Sequence, residues 1–146
     1  MAKVRGIRGA TTADENTKEA IVEATRELLE KLVEANGIVV DDVAAVMFTT
    51  TRDLNAEFPA VAARRMGWSY VALMCGHEMT VPDAQTQCIR ALVLVNTEKA
   101  AEELSNIYLR GAANLRARGM EQIEEARAPG PQLGAVTHGE ARGGKA

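Results

Sequence analysis

The chain has 146 residues, 47% hydrophobic and 25% charged, as expected of one globular domain with a real core. Seventeen Lys and Arg against 20 Asp and Glu give a net charge of −3, which excludes a broad basic surface for nucleic acid. Two cysteines cannot form a disulfide framework, and no apolar run reaches the roughly 18 residues of a membrane span.

The N-terminus shows no signal-peptide pattern, so a cytoplasmic location is expected. Residues 4–10 (VRGIRGA) read as a short strand interrupted by Gly6 and Gly9. Residues 16–36 are the clearest helix. Asn16 suits the N-cap, Glu19 suits a capping-box partner, and Gly37 suits the stop. Ile21, Ala24, Leu28 and Leu32 line one stripe of it, widened by Leu29 and Val33. Residues 43–50 alternate as a strand, with Val46 and Phe48 opposite Met47 and Thr49. After a polar loop, Pro59 opens a second helix that runs to about Met66 and ends at Gly67. Residues 70–75 read as a buried strand and 76–84 as a loop. Residues 87–96 (QCIRALVLVN) form the strongest strand pattern. Residues 98–105 suggest a short helix, 107–109 a last short strand, and 111–115 a terminal turn.

These elements make an α+β domain, α/β-like in its alternation, with a mixed sheet, one long helix and one or two short helices. Residues 1–116 form the domain and 117–146 a C-terminal extension. After about Arg127 that extension is rich in Pro and Gly and is expected to be flexible.

Arg90 is the most informative residue for chemistry. Alternation places it with Cys88, Leu92 and Leu94, while Ile89, Ala91, Val93 and Val95 fill the opposite face. An unpaired guanidinium on such a strand is costly to bury, so it reaches solvent, pairs with a structural carboxylate, or meets a ligand. Arg8, between Ile7 and Gly9, is a second carboxylate-binding candidate or else an edge-strand surface charge. Arg64, Cys75, Glu78, Tyr108 and Phe58 each have an ordinary reading as surface or packing residues. No GxGxxG, P-loop, HExxH or GxSxG motif is present, so no metal or cofactor is expected.

Taken together, five motifs resemble the AroH-class monofunctional chorismate mutases. They are VRGIRGATT at residues 4–12, Phe58-Pro59-Ala60, Cys75-x-x-Glu78-Met79, Cys88-Ile89-Arg90, and Ile107-Tyr108-Leu109 followed by Leu115-Arg116. Their order and spacing match along residues 3–116. The resemblance implies an isomerase of aromatic amino-acid biosynthesis, the shikimate pathway, rearranging the dicarboxylate chorismate to prephenate in an intramolecular [3,3] step. It also implies a Bacillus chorismate mutase-like fold, a homotrimer with a pseudo-barrel core, and active sites between subunits.

The same resemblance assigns roles. Arg90 is expected at the ether oxygen and a carboxylate, Arg8 at a carboxylate, and Glu78 at the ring hydroxyl. Cys75 is expected near that hydroxyl, through its thiol or backbone, and Tyr108 at a carboxylate. Phe58 and Leu115 close the apolar side, and Arg64 stands at the mouth. The chain departs from the family pattern at Met74, where a small hydroxyl residue is usual, so only a backbone contact is expected there. It departs again at Val61. Two alternatives remain: a Rid-type imine deaminase, which shares a trimeric architecture and an arginine for carboxylate, and a non-catalytic trimeric ligand-binding protein.

Overall fold

The computed structural model describes residues 1–115, so the expectations for Arg116 and the 117–146 extension lie outside the described residues. Five strands form one mixed sheet in the order β3-β2-β4-β1-β5. They are β1 (Lys3–Thr12), β2 (Val43–Thr50), β3 (Ala72–His77), β4 (Cys88–Thr97) and β5 (Ile107–Tyr108). β4 is antiparallel to both β1 and β2, while β2–β3 and β1–β5 are parallel pairs. Two helices, α1 (Lys18–Asn36) and α2 (Ala60–Arg65), connect β1 to β2 and β2 to β3.

This order explains why one face of the sheet is left open. The chain steps from β1 to β2 to β3 always in the same direction across the sheet. Both steps join parallel strands, and such crossovers share one hand, so both helices land on the same face. There α1 and α2 bury Ile7, Leu28, Leu29, Leu32, Val46, Phe48, Ala63 and Val93 in one core. The opposite face carries Gly6, Arg8, Met47, Thr49, Met74, Arg90 and Leu92, and among the described residues no helix lies over them.

α1 forms where its apolar stripe predicts, with Ile21, Ala24, Leu28, Leu29 and Leu32 buried. Its cap differs from expectation. Thr17 is the N-cap, its hydroxyl accepting from the Ala20 N–H at 3.1 Å. Asn16 instead fastens a loop, its Oδ1 accepting from the Asn55 and Ala56 N–H groups. Both residue types cap well, and the long-range loop contact decides between them. Gly37 stops the helix in the left-handed conformation, as expected.

Other boundaries also shift. β1 is a continuous ten-residue strand that Gly6 and Gly9 do not break. The strand expected at 70–75 begins at Ala72 and runs to His77, and Tyr70 is fully exposed. It is an edge strand with alternating exposure, and among the described residues no further strand pairs with its outer side. The helix expected at 98–105 is only a single 3-10 turn, Ala101–Glu103. That segment is held instead by buried Asn36, whose side chain bonds both Ser105 N–H and Ser105 C=O.

Gly9 sets the distance between α1 and the sheet. A Cβ there would stand 2.9 Å from Leu32 Cδ1 and 3.0 Å from Leu28 Cδ1. Substituting Gly9→Val is therefore expected to destabilise the fold by about 1–3 kcal/mol through overpacking. Urea denaturation of the two proteins measures it, and an unchanged midpoint would contradict this close approach.

Candidate active site

The strand register arranges the open face in rows. One row crosses the sheet as Gly76, Thr49, Arg90, Ala10 and Tyr108, and the next as Met74, Met47, Leu92 and Arg8. Arg8 and Arg90 thus come from neighbouring strands onto one face, one row apart, positioned by backbone pairing and not by loops. Over these rows lies a hollow of about 680 Å³, within the range of small-molecule sites. Arg8, Glu78, Arg90, Tyr108 and Leu115 line it, together with Met47, Thr49 and Leu92.

Glu78 lies just beyond β3, where its N–H donates to Thr50 C=O at 2.8 Å and continues the parallel pairing. Its Oε2 accepts from Arg90 Nη1 at 3.0 Å and from Thr49 Oγ1 at 2.7 Å. The Arg90 side chain is 50% exposed and that of Glu78 26%. An ion pair so open to water is worth only about 0–1 kcal/mol, so its consequence is orientation more than stability.

Arg8 is held through its backbone, its N–H donating to the Oδ1 of buried Asn106 at 2.9 Å. Among the described residues its guanidinium makes no ion pair. Two guanidinium groups and one carboxylate leave the hollow locally positive in a chain of net charge −3. An anionic ligand is what such an arrangement attracts.

Tyr108 is nearly buried at the rim. Burial pushes its phenol up, while the Arg8 and Arg90 charges pull the other way less strongly. The phenol therefore stays a neutral hydrogen-bond donor. Cys88, two residues before Arg90 on β4, is buried with Ala10, Tyr108 and Ala112. Its thiol is pushed up to about 11 by that burial, against the pull of Arg90.

The segment carrying Tyr108 and Leu115 is anchored by Arg110, a residue with positive φ (51°). Its guanidinium reaches Glu27 on α1 at 3.1 Å, Asp14 at 3.7 Å and the Thr12 carbonyl at 3.3 Å. Among the described residues no three His, Cys, Asp or Glu side chains group as a metal site.

Four of the expected residues do not line the hollow. Phe58 is 64% exposed just before α2, and Arg64 is exposed near the end of α2. Met74 is 67% exposed on the open side of β3. The Cys75 thiol packs against the core on the helix side. Burial pushes that thiol up, offset in part by a backbone hydrogen bond from Ala60 and by the Arg64 charge. These four gather at the β3–α2 edge of the molecule, while Arg8 and Tyr108 lie toward the β1–β5 edge.

The sequence model of the chorismate mutase type I family matches residues 4–118. The chain belongs to that family. A chorismate mutase AroH from Thermus thermophilus is 50% identical over 114 residues, covering 77% of this chain and 93% of the relative. A chorismate mutase AroH from Bacillus subtilis is 40% identical over 114 residues, covering 77% of this chain and 90% of the relative. A solved chorismate mutase from Clostridium thermocellum superposes with a TM-score of 0.73 at 47% identity, over 74% of this chain and 96% of its own. Membership in the type I chorismate mutases sets aside the imine-deaminase alternative.

Thr49, Met47 and Leu92 line the hollow but were not singled out as site residues from the sequence. Alternation put Met47 and Thr49 on one face, but their place opposite Leu92 and Arg90 needs the β2–β4 register.

Burial of Cys88 has a direct readout. In the folded protein at pH 8, its alkylation by iodoacetamide is expected to run roughly a hundredfold slower than that of a free thiol. Mass spectrometry of the labelled peptide follows it, and labelling at the free rate would contradict the packing around β4.

Proposed function

We propose that this protein rearranges chorismate to prephenate, and that its own residues act by holding a reactive conformer and by placing Arg90 against the breaking bond. The activity follows from family membership. The observation that carries the mechanism is the grouping of Arg90, Arg8, Tyr108 and Glu78 around one hollow. In the reaction an ether C–O bond breaks while a C–C bond forms within one molecule. No external nucleophile or proton donor is needed. What helps is restriction of the substrate to its compact conformer, and a fixed positive charge where the ether oxygen gains electron density.

In this reading Arg90 faces the ether oxygen and a carboxylate, and Arg8 binds a carboxylate as a two-point fork. The neutral Tyr108 phenol donates to a carboxylate. Glu78 accepts from the ring hydroxyl, and Leu115 closes the apolar side.

Phe58, Arg64, Met74 and Cys75 complete the site from a neighbouring copy in a homotrimer. Two features support this. The sheet leaves one face open with apolar Met47, Met74 and Val4 exposed on it. The two groups of site residues also lie toward opposite edges of one chain. Unlike patches meeting head to tail close into a ring. Phe58 then packs on the apolar side, and Arg64 sits at the mouth and adds positive charge for a dianion. Cys75 contributes through its backbone, since its thiol packs toward the core. Met74 contributes through its backbone alone.

The domain proposed to end near Arg116 is supported by the family match, which ends at residue 118. A cytoplasmic location is supported by the two cysteines being free thiols. Among the described residues no helix is long and apolar enough to cross a membrane.

Purified protein is expected to consume chorismate, followed by its ultraviolet absorbance, with no added metal or cofactor. Arg90→Ala is expected to lose kcat by two to three orders of magnitude or more, several kcal/mol of barrier. Wild-type turnover in that variant would remove Arg90 from the mechanism. For the shared site, Arg90→Ala and Arg64→Ala chains are each expected to be weak alone. Unfolded together and refolded, they are expected to recover activity, because some interfaces then carry Arg90 from one chain and Arg64 from the other. No recovery from mixed, correctly sized oligomers would contradict sites built between subunits.

A further inference from the structure

We infer that Thr49 is a positioning residue for Glu78: its hydroxyl holds the carboxylate in one-point contact with Arg90, leaving the second carboxylate oxygen for the substrate hydroxyl. This rests on the roles given to Glu78 and Arg90 under the proposed function.

The geometry is unusual for an arginine and a carboxylate. Left to themselves, the two groups favour two parallel hydrogen bonds, fork to fork, which occupy both carboxylate oxygens. Here Arg90 Nη1 and Thr49 Oγ1 converge on the same oxygen, Oε2. Among the described residues Oε1 has no partner. The hydroxyl supplies the second donor that Oε2 would otherwise lack.

The backbone fixes this trio. Thr49 is the cross-strand partner of Arg90, and the Glu78 N–H is tied to the carbonyl of Thr50. A β-branched side chain in a strand has few χ1 choices, so the hydroxyl is aimed and not merely near. Each of the three groups thus leaves the others something to offer a ligand. Arg90 keeps N–H groups outside the pair, and Glu78 keeps one acceptor oxygen. Without the hydroxyl, Glu78 turns to close the two-bond fork. That takes the free oxygen from the substrate and draws the cation toward the carboxylate. The contrasting account is that Thr49 is only a β-branched residue suited to a strand, in which case valine serves as well.

The test uses the full chain with Thr49→Val, Thr49→Ser, Glu78→Gln and the double variant Thr49→Val/Glu78→Gln, each assayed for kcat and KM on chorismate. Valine is expected to lower kcat about tenfold with a smaller change in KM, and serine to stay within about twofold of the parent. The double variant is expected to fall within about twofold of Glu78→Gln alone, because the hydroxyl acts through that carboxylate.

Parental kcat in the valine variant overturns the inference, as does a serine variant no better than valine. Losses that simply multiply in the double variant also overturn it. If Glu78→Gln is fully active, the role given to Glu78 fails. A tenfold loss in Thr49→Val then shows a hydroxyl acting by some other route, which overturns this inference separately. Thermal midpoints of the valine and serine variants are compared alongside. If valine prevents folding, Thr49→Ala against Thr49→Ser makes the same comparison.

Discussion

Arg90 stands on the middle strand of the sheet, with β2 hydrogen-bonded on one side and β1 on the other. A guanidinium in that place cannot swing round a strand edge. Its charge is half open to water, so a partner is not forced by burial; any carboxylate that is to orient it has to reach over the same face. That carboxylate is Glu78, beyond the end of β3 and two strands away. To deliver it, β3 must run parallel to β2 in one register, and a parallel neighbour requires a crossover. α2 is that crossover. The direction of travel that puts α2 behind the sheet also leaves the front free of both described helices. One cation in the middle of a sheet thus ties together the parallel pair, the side chosen by the helices, and the open face on which the hollow lies.

The energetics of the site differ from those of the core behind it. The helix side is held by buried Leu, Ile, Val and Phe, each worth about 1.5–3 kcal/mol of removal from water. The front is held by almost nothing of that kind. Its ion pair is open to solvent, and among the described residues Arg8 is secured through its backbone. The rigidity of the front is borrowed from the strands beneath it, whose ladder is stabilised by the core on the other side. Side chains on such a base can keep unsatisfied hydrogen-bonding capacity without letting the fold down.

Much of this was legible in the sequence, unevenly. The long helix and the β4 pattern could be read because each has a strong period and a buried stripe or face. The five motifs in register identified the family, and with it Arg8, Glu78, Arg90, Tyr108 and Leu115, which share one hollow. What could not be read depended on contacts far apart in the chain. Asn16 and Thr17 are equal as caps until Asn16 is seen holding residues 55 and 56. Residues 70–75 looked buried because an apolar run does not say whether its strand lies at an edge. Residues 98–105 looked helical, yet the backbone of Ser105 at their end is taken up by Asn36 from the end of α1. Thr49 carried no signal of its own. Its chemistry appears only when register sets it beside Arg90 and a loop brings Glu78 above it.

The place of β1 has a consequence for how the molecule is made. Both of its neighbours, β4 and β5, are synthesised long after it, and Arg8 is bonded to a residue 98 positions later. An emerging chain can fold α1 and pair β2 with β3, but its first strand must wait with both edges bare until nearly the whole domain has left the ribosome. Closing such long loops is slow, and exposed strand edges invite association with other chains. Residues 3–12 thus pass that wait as an unpaired strand, the part of the emerging chain most open to association with other chains.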